Sequence, residues 1–169
     1  MVRAWGFMTQ SLTIDTGVIR LAINGDESRV IAFNPNDALF AEKFYKMLGT
    51  LQTRFTEYQK QAEVVEAKQE ADVNGIPLNT GERIELMKEV CVFARGQIDE
   101  LFGAGTSQTA FEDALSIEAI IQFFEGVKPF VQNARADKVA KYTNKTYQKR
   151  KWTFSQMPHL RRLKSILLS

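Results

Sequence analysis

The sequence predicts an α+β fold that is mostly α-helical. An N-terminal β-hairpin of two or three short strands leads into a long-helix αα-hairpin, a third main helix and a basic C-terminal tail. Three observations predict it. Asn24-Gly25 joins two short runs rich in β-branched and apolar residues, and Asn-Gly in that setting signals a hairpin because both residues accept positive φ. Two later stretches repeat apolar residues at alternating steps of three and four, the period of helix packed on helix. The charge is also divided along the chain. Residues 1–137 hold 13 basic and 20 acidic side chains, a balance of −7, while 138–169 hold nine basic ones and no acid, within a total of +2.

The elements follow in order. Residues 1–11 read as a flexible extension, with Met1 or Met8 as the natural start, and Met1–Met8 is too short and too weakly apolar for a secretory signal. Leu12-Thr13-Ile14 is a candidate third strand before Gly17. The hairpin proper is Val18–Ile23 and Ser28–Phe33. Asn34-Pro35-Asn36-Asp37 reads as a helix start, with Asn34 as cap, Pro35 at the first helical position and Asp37 near the positive helix end. The seam of the helix that follows is Phe44, Leu48, Leu51, Phe55, Tyr58, Ala62 and Val65. Running from Pro35 to about Ala71, at ~1.5 Å per residue, it would be a rod of roughly 55 Å.

Asp72–Gly81, with Asn74-Gly75 and Pro77, breaks the rod. A second helix is expected from about Glu82 to Phe102, capped by Thr80, with the seam Ile84, Met87, Cys91, Ala94, Ile98 and Leu101. Two seams of one period joined by a loop make an αα-hairpin. Gly103 would end it in a left-handed cap. Thr109-Ala110-Phe111-Glu112 has capping-box form and would open a short helix. Ser116 would cap the third main helix through Ile117, Ile120, Ile121, Phe124 and Val127, weakened at Gly126 and Pro129. The domain so defined covers 12–141, and 142–169 form a basic, aromatic tail.

Catalytic and metal signatures are missing from this pattern. One His and one Cys build neither an internal disulfide framework nor a His/Cys zinc site. Cys91 falls on an apolar seam, where a core role outweighs a nucleophilic one. Gly103-Ala104-Gly105-Thr106-Ser107 lacks the Gly-Lys-Ser/Thr ending of a phosphate loop and follows a helix rather than a strand, so a structural turn is expected. His159 has no acid or nucleophile beside it in the sequence. The acidic pairs Asp26-Glu27, Asp99-Glu100 and Glu112-Asp113 fall at turns and helix ends. The reading is a non-enzymatic protein with no cofactor and no metal. The chain has no apolar run near the ~18 residues that cross a bilayer, and an unpaired Cys with no signal makes the cytoplasm the expected location.

Interaction is what remains, and two regions are candidates. One is Phe123, Phe124 and Phe130. Neighbouring helical residues point about 100° apart, so Phe124 fits the core stripe while Phe123 is either half-exposed to a partner or part of a wide buried face. The other is the tail, where Lys149, Arg150, Lys151 and Trp152 join charge to an aromatic ring and Arg161 and Arg162 repeat the theme between leucines. Such a segment could bind nucleic acid, an acidic membrane surface, or an acidic protein surface, including the body of its own or a neighbouring copy. The presence of both signs in one chain favours protein docking, and no nucleic-acid reading motif is present.

The stretches Ile98–Ser107, Ser116–Phe124 and Val127-Lys128-Pro129-Phe130, behind a short hairpin and long helices, resemble the small tail assembly chaperones of long-tailed phages and prophages of Gram-positive bacteria. The similarity spans about Leu12 to Lys141, and the tail after Lys138 departs from the short form of that family. The resemblance implies a client-binding factor that coats the tape measure protein, keeps it soluble and helps tail tube protein assemble around it, without remaining in the virion. Helical seams also leave self-association open. The alternatives are a structural tail-completion or connector protein, which virion mass spectrometry would detect, and a nucleic-acid-binding accessory protein, whose affinity would fall steeply with salt.

Overall fold

A computed structural model describes residues 11–68 and 70–143, with backbone alone for 134–143. Its elements are β1 (Ile19–Ile23), β2 (Asp26–Phe33), α1 (Ala38–Glu66), α2 (Thr80–Phe102), α3 (Thr106–Phe111) and α4 (Ile117–Thr143). This is the mostly helical α+β fold that the sequence predicts, a two-stranded antiparallel hairpin followed by helices.

The hairpin turns at Asn24 (φ 55) and Gly25 (φ 77), the positive-φ pair of a tight turn that matches strand twist. Ile19 pairs with Phe33, Leu21 with Ile31 and Ala22 with Val30, and the register shifts between Ala22 and Ile23. The odd-numbered residues Leu21, Ile23, Ile31 and Phe33 join the core, as a period of two requires. Leu12–Ile14 do not form a third strand; Leu12 is 82% and Ile14 70% exposed. The physical reason lies at Thr16 and Gly17. The Asn34 side chain donates to the Thr16 carbonyl, and Gly17 (φ 73) lies against Asn34 and Asn36. The incoming chain is thereby held at the β2–α1 turn rather than beside β1.

Helix α1 starts later than expected. Asp37 is the cap, accepting from the Leu39 N–H at 3.0 Å, while Asn34 instead closes a turn by accepting from the Asn36 N–H. Pro35 therefore precedes the helix. Phe40, Phe44, Met47, Leu51, Phe55, Tyr58 and Ala62 are buried, close to the predicted seam but shifted to include Phe40 and Met47 and to leave Leu48 and Val65 half-buried. The helix also ends earlier, at Glu66, and the Asn79 side chain donates to the carbonyls of Val65 (2.8 Å) and Lys68 (3.0 Å). The Val65 carbonyl also accepts from the Lys68 N–H at 3.2 Å and Lys68 already lies past the helix, so the Asn79 side chain fastens the chain where it leaves α1. Its 29 residues span roughly 43 Å at 1.5 Å each.

Helix α2 begins at Thr80, with Asn79 rather than Thr80 in the cap position. Its buried stripe is Leu86, Val90, Cys91, Ala94, Ile98, Leu101 and Phe102. Ile84, which the spacing assigns to the seam, is 44% exposed, and Met87 is half-buried. Leu86 and Val90 take the buried stripe in place of Ile84 and Met87. Gly103 has positive φ (111°) but an extended ψ (150°), so the chain leaves α2 extended; the left-handed residue is Gly105. Helix α3 opens at Thr106 and closes at Phe111, so the predicted capping box marks its end. Ser116 caps α4 as expected, its Oγ accepting from the Ala119 N–H at 3.3 Å. Pro129 lies inside α4.

An aromatic cluster joins the layers. Phe102 stands edge-on to Phe33 (5.1 Å), Phe40 (5.7 Å) and Phe123 (5.4 Å), so one side chain at the end of α2 ties the hairpin, α1 and α4 together. Edge-to-face pairs of this kind add about 0.5–1.5 kcal/mol each beyond area burial.

Candidate functional site

Phe123 is the residue whose surroundings the sequence left open, and the structure buries it, at 8% exposure, between Phe102 and Phe111. The half-exposed alternative is corrected by α3, which supplies Phe111 against the ring at 5.5 Å. Phe124 is buried at 4%, and the two adjacent rings meet edge-on at 5.8 Å. Phe130, two turns further on, is 37% exposed. Of the three, only Phe130 reaches the surface.

Phe123 and Phe130 do share one feature. A groove of about 480 Å³ runs between β1 and α4. One wall is the consecutive run Arg20–Asn24; the other is the α4 stripe Ala119, Phe123, Gly126, Val127 and Phe130. Consecutive strand residues on one wall mean that the groove follows the edge of β1 rather than one face of it. The α4 positions step by four, three, one and three, a single helical stripe. Ile31 and Phe111 close the floor. Gly126 lines the groove, and a Cβ there would meet nothing within 4 Å.

The floor is held by two arginines that sequence reasoning did not single out. Arg29 on β2 donates to the carbonyls of Thr109 (2.9 and 3.1 Å) and Ala110 (3.1 Å), and pairs with Glu112 at 2.8 Å. Arg95 on α2 donates to the carbonyls of Glu112 (2.7 Å) and Ala114 (3.1 Å) and lies over the Phe111 ring. The planar fork of Arg suits such paired acceptors, and cations favour the carbonyl end of a helix. Arg29 holds the last turn of α3 from β2, and Arg95 holds the α3–α4 connection from α2. A basic residue inside an apolar strand and another beside Ala94 were the available signals, but neither names a partner so far away in sequence.

Gly103–Ser107 is filled from within. The Asp99 carboxylate accepts from the Ser107 N–H at 2.7 Å and from its Oγ at 2.8 Å. An acid sits where a phosphate would have to lie, and this is the structural turn expected. Cys91 is fully buried, and burial pushes its thiol up to about 11 against a weak opposing pull from Arg95. Among the described residues, no three His, Cys, Asp or Glu side chains gather where they could hold a metal ion, and no helix is long and apolar enough to cross a membrane. Lys149, Arg150, Lys151, Trp152, Arg161 and Arg162, together with His159, lie outside the described residues.

Fold and site together define an α+β, mostly helical protein with an open apolar groove beside an edge strand. The chain belongs to a family of unknown function (DUF6673), which matches it over residues 24–153. That span contains the hairpin turn, the four helices of the described residues and Lys149–Trp152, and it stops short of Arg161 and Arg162. No curated protein and no solved structure matches the chain.

Proposed function

We propose that this protein is a non-enzymatic tail assembly chaperone that binds the tape measure protein and assists tail tube assembly from the host cytoplasm. The observation that carries the reading is the groove between β1 and α4. Its lining is mostly apolar, with Arg20, Asn24 and Gln122 among it, and it is rimmed by the part-exposed Phe130. Such a surface accepts the apolar stripe of an amphipathic helix, and a tape measure protein is a long helical chain with such stripes along it. The sequence resemblance around Ile98–Ser107 and Val127–Phe130 supports the same reading, since these stretches build the α2–α3 turn and one groove wall.

A helical tape-measure fragment mixed with this protein should stay in solution at concentrations where it precipitates alone. Phe123 is unsuitable as the contrast, because its truncation would open a core cavity. Gly126→Leu is suitable: it places a side chain into the groove from a position with open space around it. The variant should keep the fold, by circular dichroism and thermal unfolding, and lose the solubilising effect. Equal protection by wild type and Gly126→Leu, or none by wild type, overturns the proposal.

A further inference from the structure

Glu112 holds a backbone conformation that its residue type resists. It follows the last residue of α3 with φ 53 and ψ −125, far from the left-handed basin, where ψ is about +30 to +60°. The Ala114 N–H closes a turn on the Phe111 carbonyl at 3.0 Å, so Glu112 stands at the first central position of a type II′-like turn, where glycine is the ordinary occupant. Among the described residues the other non-glycine at positive φ is Asn24, in the hairpin turn. Its neighbours fix Glu112 from three directions. The N–H donates to the Gln108 carbonyl at 2.9 Å, the carbonyl accepts from Arg95 at 2.7 Å, and the carboxylate pairs with Arg29 at 2.8 Å. Backbone strain that persists because its surroundings impose it is a mark of clamps and switch segments.

The other end of α3 is built on glycine. Gly103 (φ 111) and Gly105 (φ 82) precede the helix, and a Cβ on either would meet nothing within 4 Å. Between these ends the polar ties are Asp99 at Ser107, Arg29 at the carbonyls of Thr109 and Ala110, and Arg95 at those of Glu112 and Ala114. The apolar hold is Phe111 against Phe123, with Ala110 partly buried beside it. We infer that α3 is a hinged flap, which leaves its seat as one unit about Gly103–Gly105, driven by the strain at Glu112, and uncovers Phe123 while the long helices stay packed. Hinges are a few residues at element ends that absorb a large change in φ and ψ. Segments with few buried apolar contacts open at a lower free energy than the whole domain.

The inference stands apart from client binding, and its test contains no client. Native-state hydrogen exchange of the full chain, followed by NMR in low urea, reads it directly. The amides of Thr109–Glu112 should exchange through one shared opening, populated at least roughly tenfold more than the opening that frees the α2 amides Val90–Ile98. Glu112 is exposed, so two variants there leave the core intact. Glu112→Ala removes the carboxylate and keeps the Cβ, whereas Glu112→Gly removes both. The glycine variant should populate the shared opening about tenfold less than the alanine variant. An unstrained position would give the reverse order, because glycine loosens the open chain. Separate opening of each α3 amide, exchange of α3 only together with α2, or an opening in Glu112→Gly equal to or greater than that in Glu112→Ala overturns the inference.

Discussion

Cys91 shows how burial decides chemistry at a single residue. Its thiol keeps its proton up to about pH 11 in the folded chain and releases it near the ordinary 9.0 when unfolded. Between these values the folded state binds more protons, so stability falls as pH rises from 9 toward 11. The loss attributable to this group is on the order of 2 kcal/mol. The stability gap between wild type and Cys91→Ala, from urea unfolding at a series of pH values, should therefore narrow across that window. A gap that stays constant would count against the buried thiol. Asn79 makes a second case. It is 6% exposed and donates twice to the end of α1. Asn79→Asp keeps the shape, removes the donors and faces a carboxylate toward carbonyls, so a cost of about 2–3 kcal/mol is expected. Asn79→Ala should cost less than the aspartate. The sequence made Thr80 the cap here because a threonine before a helix is a common pattern, whereas the Asn79 side chain acts on the end of α1, which it follows by a whole loop.

At the scale of elements, α4 carries the clearest local conflict. Pro129 withholds the N–H that would bond to the Glu125 carbonyl in the helix interior. Pro129 is exposed, so Pro129→Ala removes the conflict without touching the core. It should stabilise the protein by about 1–3 kcal/mol, read as a higher urea midpoint with an unchanged slope. Lower stability would mean that the proline sets a bend the groove needs. The seams of α1 and α2 were legible as periods, yet their phases were not. Phe40 and Met47 entered the core and Ile84 left it because each phase depends on which neighbours cover each turn. The α3 helix was misread more deeply. Its start is set by Gly105 in a left-handed conformation and by the Asp99 cap, an interaction across eight residues that local capping patterns do not describe.

For the whole molecule, the charge division and the core have a simple relation. The buried cluster extends from Ile31 to Val131, while all nine basic residues of the acid-free tail follow Asp137. Deleting 144–169 should leave the thermal midpoint within about 3 °C, the equivalent of about 1 kcal/mol for a chain of this size. A larger drop at low salt that disappears at high salt would show the tail docking on the acidic body, since exposed charge pairs are screened. The sequence by itself determined the hairpin turn, the three long helices α1, α2 and α4 and the burial of Cys91, because Asn-Gly geometry and apolar periodicity act over a few residues. It determined the charge division as well, which is a matter of composition. Only the tertiary structure decided that Phe123 is covered while Phe130 is not, and that Leu12–Ile14 stay off β1. It also decided that Arg29 and Arg95 hold the floor of a groove beside an open strand edge. Those outcomes depend on contacts between residues far apart in the chain, and no local pattern encodes which distant surface a side chain will meet.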